Sequence, residues 1–221
     1  MLEEKITDLK RELVGCATLV EHMIEKSTAG LVRRDKAQLE SVERVDEPQV
    51  NALNNRMDEL CTSLIAQYQP LAKDLRLILM MLKMNDVLER MGDHAVNIAQ
   101  SSLFLLANPL VKPLIDIPAM AGLAAQMVRD SITAFINEDG PLAKSVCERD
   151  SIIDRRRDKT YNELIEVMSA NPSTIEKSLN LLRISRNLER IADLSTNICE
   201  DVIFIVEGKI IKHHNMDCED Q

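Results

Sequence analysis

The sequence predicts an all-α protein: two pseudo-symmetric antiparallel three-helix bundles, six long helices in all. Three observations carry that prediction. Aromatic residues make up only 2% of the 221 residues, with no Trp, while Leu, Met, Ala, Glu, Lys and Arg, the strong helix formers, dominate. Only six glycines are present, too few for many tight hairpin turns. Finally, LERMGDHAVNI at residues 88–98 returns one hundred positions later as LERIADLSTNI, with six of eleven positions identical at identical spacing.

Leu2, Ile6, Leu9, Leu13, Cys16, Val20, Met23 and Ile24 keep a helical period, which predicts a helix over 2–34. A second amphipathic segment covers about 36–68, bent near Pro48. Gln69-Pro70 punctuates the chain, because proline fits a helix's first turn and not its interior. A third helix then runs from about 71 to 106, stopping before Asn108-Pro109. Pro109, Pro113 and Pro118 mark 108–118 as a linker. Beyond it the pattern restarts, with helices over about 119–137 and 142–169 separated by Asp139-Gly140-Pro141. Asn171-Pro172 breaks the chain again, with Ser173 available as a cap, and the last helix reaches Glu207-Gly208. The expected organisation is a first repeat over 1–107, the linker 108–118, a second repeat over 119–209 and a polar tail at 210–221. Two copies make this a duplication rather than a solenoid.

Bulk properties narrow the function classes. Hydrophobic residues at 45% can fill a substantial core. A formal charge of −9, with no basic run longer than Arg155-Arg156-Arg157, is a poor footprint for nucleic acid. Cys16, Cys61, Cys147, Cys199 and Cys218 are scattered and never form Cys-x-x-Cys, which fits reduced intracellular thiols. The segment MLEEKITDLKREL is charged and amphipathic, unlike a secretory leader. No apolar run reaches the ~18 residues of a membrane span; Leu77–Leu82 is cut off by Lys83. The expectation is a cytoplasmic helical protein without membrane insertion.

Chemistry concentrates in the repeated segment. Positions four apart share a helix face, so Glu89, Asp93 and Asn97 form one oxygen-rich stripe, and Glu189, Asp193 and Asn197 its twin. Like charges at that spacing cost a helix a few tenths of a kcal/mol, so stability alone argues against keeping them twice. The preceding helix of each half carries a second pair: Glu47 and Asn51 in the first, Asp150 and Asp154 in the second. Measured from Pro70, Glu47 lies 23 residues back and Asp93 lies 23 forward, while Asn51 and Glu89 each lie 19 away. Measured from Asn171, Asp150 and Asp154 lie 21 and 17 back, and Asp193 and Glu189 lie 22 and 18 forward. Antiparallel helices of equal rise therefore bring the two pairs level in each half.

Four oxygen donors at one level either stay at the solvent edge or are neutralised by cations. Hard oxygen ligands suit Mg, Ca, Mn or Fe; Zn also accepts carboxylates, usually beside His or Cys. Gly92 and Ala192, before each Asp, offer either room over the stripe or close helix packing. No Glu has His three residues later, which weakens a di-iron enzyme reading. His94 is rotated about 100° from Asp93, and His213 and His214 fall in the polar tail. Met80, Met81, Met84 and Met91 read as adaptable core. No phosphate loop, nucleophile elbow or nucleophile–base pair is present, so the chain is expected not to be an enzyme.

The segments QPLAKDLRLILMMLKMNDVLERMGDHAVNIA at 69–99 and RISRNLERIADLSTNICEDVIFIVEGK at 183–209 resemble the PhoU family, and the likeness extends over nearly the whole chain. That resemblance implies two three-helix bundles whose Glu/Asp-x-x-x-Asp motifs hold clusters of iron or zinc, with manganese or magnesium as further candidates. It implies a metal-binding negative regulator of phosphate uptake and of the phosphate-starvation response. The implied partners are the ATPase subunit of the phosphate ABC transporter, a sensor histidine kinase and a second copy of the chain. The implied location is the cytoplasm, peripheral to the inner membrane through those partners. Carried onto this sequence, the metal-ligand set is Glu89, Asp93, Asn97, Glu189, Asp193 and Asn197, with Asp150, Asp154, Glu47 and Asn51 as hairpin partners. Asn51 stands where the second half has Asp154, so the first site has less charge to hold ions. The alternative is a metal-independent helical scaffold whose acidic stripes dock a protein. An oxygen-ligand metalloenzyme ranks behind both.

Overall fold

The structure, a computed structural model, describes residues 2–207. Among them α1 (Leu2–Arg33) leads into the short α2 (Lys36–Ser41), a π-helical turn (Val42–Asp46) and α3 (Glu47–Tyr68). α4 (Ala72–Leu106) completes the first half; α5 (Asp116–Asn137), α6 (Gly140–Ala170) and α7 (Ile175–Glu207) form the second. The long helix expected over 36–68 is thus one helix interrupted by a π turn. Pro48 sits just after that turn, in the first turn of α3, where its missing N–H is harmless.

Local chemistry sets each boundary. Asp35 caps α2 through its carboxylate, which accepts from the Gln38 N–H at 3.0 Å. Gln69 ends α3 in the left-handed conformation (φ 46°) and donates its N–H to the Ile65 carbonyl at 3.1 Å. Asp139 caps α6 by accepting from Leu142 N–H at 2.9 Å. Two expectations need correction. The linker is shorter than 108–118, because Asp116, Ile117 and Pro118 already belong to α5; a first turn needs no hydrogen bond from a proline N–H. At the last break Ser173 is not the cap: Asn171 accepts from both its N–H (3.1 Å) and its hydroxyl (2.8 Å), opening a 3-10 turn over Pro172–Thr174.

The apolar faces converge in one continuous core that runs through both halves. Within the first half α1, α3 and α4 pack together, and within the second α5, α6 and α7 do. The halves join through two further pairs, α4 on α7 and α1 on α5. Helices α1, α4, α7 and α5 therefore close a central four-helix ring, with α3 outside on one half and α6 outside on the other. Both joining pairs are antiparallel. Lys83 Nζ, early in α4, lies 2.6 Å from Asp201, late in α7, while His94 Nδ1, further along α4, lies 2.8 Å from the side-chain oxygen of Asn187, earlier in α7. Arg129 likewise reaches back from α5 to Glu21 on α1 at 2.6 Å.

Met81, Met84 and Met91 are buried in this core, as their spacing predicts. Cys16, Cys61 and Cys199 are buried free thiols and Cys147 is half-buried; Cys218, His213 and His214 lie outside the described residues. Among the described residues no helix is long and apolar enough to cross a membrane.

Candidate functional site: two outer grooves

The α3–α4 groove is built on a polar clamp. Asn54 donates to the Asn85 carbonyl at 3.3 Å, and Asn85 donates back to the Asn54 carbonyl at 3.0 Å and to Asp58 at 3.1 Å. Both asparagines are buried, so this exchange fixes the register of the two helices and occupies both amide nitrogens, while the Asn85 side-chain oxygen stays buried without a donor. With Asn54 level with Asn85, one further turn along each helix puts Asn51 beside Glu89, and the next puts Glu47 beside Asp93. The sequence count from Pro70 gives the same levels. The clamp itself escaped the sequence reading, although two amides on the apolar face of a helical pattern were its visible signal.

The π turn over Val42–Asp46 runs directly into Glu47, the first residue of α3. Lys26 on α1 grips Asp46 at 2.6 Å, with both side chains largely buried, and so anchors the turn. Single π turns inside α-helices recur at functional sites because the extra residue re-aims the side chains that follow. Glu47 and Glu89 are half-buried, while Asn51, Asp93 and Asn97 are exposed. Partial burial, followed by the charges of Asp93 and Glu43, holds the Glu47 carboxyl above its ordinary range. Partial burial, then Asp93, Asp86 and Asp58, does the same to Glu89. No ion pair to Glu47, Glu89 or Asp93 occurs among the described residues. Gly92 does not make room over the stripe. A Cβ there would meet Val50 at 3.4 Å and Met23 at 3.9 Å, so the glycine serves close packing beneath the groove.

The α6–α7 groove holds more carboxylates but answers them with arginine. Arg157 lies 3.5 Å from Asp154 and 3.9 Å from Glu189, and Arg190 lies 3.4 Å from Asp193. Asp150 is 4% exposed, Glu189 and Asp193 are half-buried, and Asn197 is exposed. Partial burial and Asp193 raise the Glu189 carboxyl, against the opposing pull of Arg157 and Arg190. The expected ranking of the two sites therefore rests on an incomplete count: Asp154 adds a charge to the second groove, and Arg157 cancels it. His94 faces α7 rather than either stripe.

The donor chemistry of the first groove fits a hard cation: two glutamates, an aspartate and two amides on adjoining helices, with no basic side chain paired to the carboxylates among the described residues. Among the described residues, no three His, Cys, Asp or Glu side chains converge tightly enough to form a ready-made metal cage. Two glutamates raised first by partial burial and then by the charge of Asp93 describe the α3–α4 arrangement better than a closed ligand shell.

Fold and site together define a class: a duplicated all-α bundle whose two helical hairpins each present an oxygen-rich outer groove. The family model described as "PhoU domain" matches residues 13–102 and 117–202. The chain belongs to the PhoU family. It is 34% identical to a phosphate-specific transport system accessory protein PhoU homolog of Aquifex aeolicus, over 97% of each chain. A Pseudomonas putida homolog of the same description is 33% identical over 95% of this chain and 82% of its own. The crystal structure of PhoU from Pseudomonas aeruginosa superposes with a TM-score of 0.89 at 30% identity, covering 95% of this chain and all of that one. A phosphate transport system regulatory protein PhoU from Streptococcus pneumoniae gives 0.86 at 25% identity, covering 96% of this chain and all of its own.

Proposed function

We propose that this protein is a non-catalytic accessory of phosphate-specific transport, acting as a negative regulator of phosphate uptake and of the phosphate-starvation response. Its relatives are named as accessory proteins of that system, and the likeness runs nearly end to end. The proposal includes metal binding, carried by one observation: Glu47, Glu89 and Asp93 are gathered in one groove with no basic side chain paired to them among the described residues. Glu47 and Asn51 from α3, with Glu89, Asp93 and Asn97 from α4, would hold iron or zinc, or else manganese or magnesium. The bound cation would supply charge neutralisation and a cross-link between the helices. In the second groove the corresponding set is Asp150, Asp154, Glu189, Asp193 and Asn197. The adaptor role places the protein, as a homodimer in the cytoplasm, between the transporter's ATPase subunit and a sensor histidine kinase.

A metal-independent scaffold is the second reading, and the arginines of the α6–α7 groove favour it there, since carboxylates already neutralised by guanidinium need no ion. Elemental mass spectrometry decides between the two. Untagged protein should carry near-stoichiometric iron, zinc or manganese, and the variant Glu89→Gln/Asp93→Asn/Glu189→Gln/Asp193→Asn should lose it while keeping its helicity. The same variant should derepress phosphate-starvation genes. Metal-free wild-type protein after supplementation, with helices intact, would remove metal from the proposal.

A further inference from the structure

The α6–α7 hairpin carries a second feature, set toward the hairpin bend from the acidic stripe. Arg157, Arg183, Arg186 and Arg190 line a cavity of about 540 Å³ with Tyr161 and Leu179 among its apolar walls. Arg183 and Arg186 make no ion pair among the described residues, and both are exposed. The Nε of Arg157 is buried without an acceptor, a donor left over while Nη2 lies near Asp154 and Glu189 and Nη1 near Asp158. The apolar surface is as open as the basic one: Tyr161 is 51% and Leu179 45% exposed, and Ile165 and Ile175 continue the strip by one turn on each helix.

The duplicated half shows that the fold does not require this. By the same register, Arg157 corresponds to Asn54, Tyr161 to Asp58, Arg183 to Lys83 and Arg186 to Asp86. In the first half Asn54, Asn85 and Asp58 lock together across the helices, and Lys83 is taken by Asp201 of α7. One half has closed this place with its own hydrogen bonds. The other has opened it, and has made it basic in a chain of net charge −9.

We propose that this groove is the docking site for an acidic segment of a protein partner that also carries apolar side chains. Exposed Arg and Tyr over an aliphatic floor, without Lys, is the composition of interface hot spots rather than of a solvated surface. A small free anion suits the place less well. Glu189 stands in the groove, and backbone N–H groups in the middle of α6 and α7 are committed to their own helices. The strip from Ile175 to Arg190 covers roughly 22 Å of α7, the reach of an extended or helical segment rather than of an ion. This inference rests on the adaptor reading and gives it a surface.

The test uses the full chain against the purified ATPase subunit of the phosphate transporter and the cytoplasmic part of the sensor kinase, by biolayer interferometry at low and physiological salt. Arg183→Glu/Arg186→Glu should weaken binding of one partner at least tenfold and flatten its salt dependence. Leu179→Ser should weaken the same partner mainly by faster dissociation. Lys83→Glu/Arg90→Glu, in the equivalent place of the first half, should leave that partner's affinity unchanged. Circular dichroism confirms that each variant is folded. Unchanged binding by the folded Arg183/Arg186 and Leu179 variants would overturn the docking site while leaving the adaptor role standing. Wild-type protein that binds neither partner would overturn the adaptor role and this proposal with it. Direct, saturable binding of inorganic phosphate or ATP, lost in the arginine variant and displacing the partner, would overturn it in favour of an oxyanion site.

Discussion

The two outer grooves come from one duplicated sequence and occupy equivalent places, yet they manage charge in opposite ways. The α3–α4 groove is acidic, no arginine among the described residues pairs with Glu47, Glu89 or Asp93, and an asparagine clamp closes it on the hairpin-bend side. The α6–α7 groove has an extra carboxylate in Asp154, but neutralises its stripe with Arg157 and Arg190 and leaves further arginines facing solvent. The difference teaches that a stripe's meaning depends on what the facing helix supplies. Asn54 and Arg157 stand at one register position, and that exchange, with Asp58 for Tyr161 and Asp86 for Arg186, separates a closed acidic groove from an open basic one.

The comparison can be broken most forcefully in the core the halves share. Leu88 and Leu188 are fully buried at equivalent positions of α4 and α7. Replacing either by Ala should cost about 2–5 kcal/mol, lowering the melting temperature by on the order of 10 °C. Because α4 packs on α7, each variant should still unfold in one calorimetric transition. Two transitions, with only the mutated half shifted, would show that the halves are independent.

The next effect sits where α1 meets α5. Glu21 is 7% exposed, and burial holds its carboxyl above the ordinary range even though Arg129 pulls it down. Arg129→Ala removes that pull and should cost about 1–3 kcal/mol at neutral pH. The sign follows from linkage. A carboxyl whose folded pKa is raised contributes stability that is present below its unfolded pKa and is lost as pH rises through the folded one. Removing Arg129 raises Glu21 further, so the deficit should shrink as pH falls through the carboxylate range and Glu21 takes up its proton. A deficit that stays constant from pH 7 to pH 4 in chemical denaturation would show that the ion pair is not its source.

The smallest effect exchanges the two small residues under the stripes. Gly92→Ala should stabilise by up to about 1 kcal/mol, because helix propensity improves and the new Cβ meets Val50 at 3.4 Å, near ordinary contact. Ala192→Gly should lose a similar ~1 kcal/mol. Metal content should be unchanged in both. Loss of metal in Gly92→Ala would return the glycine to the stripe, against the packing seen here.

Much of the fold was legible in the sequence because helices are written locally. Leu9, Leu13, Val20, Met23 and Ile24 keep one face apolar, and that face is buried as their period requires. Asp139-Gly140-Pro141 and Asn171-Pro172 break helices through rules of proline and capping that need no tertiary context. The level pairing of Glu47 with Asp93 was legible for the same reason, since a short bend makes antiparallel helices count equally from it. The π turn was not legible; Lys26, one helix away, holds Asp46 and helps to fix it. Nor was the Asn54–Asn85 clamp, whose two members lie 31 residues apart and donate to each other's carbonyls only once packed.

The sequence by itself determined the helices, their breaks, the duplication and the candidate oxygen donors, because each is set by residues within a turn or two of one another. Tertiary structure decided that α1, α4, α7 and α5 close a common ring, and which of the donors meet an arginine. Those outcomes depend on the spacing of side chains from different helices. Charges interact across that spacing, at distances that no local pattern specifies.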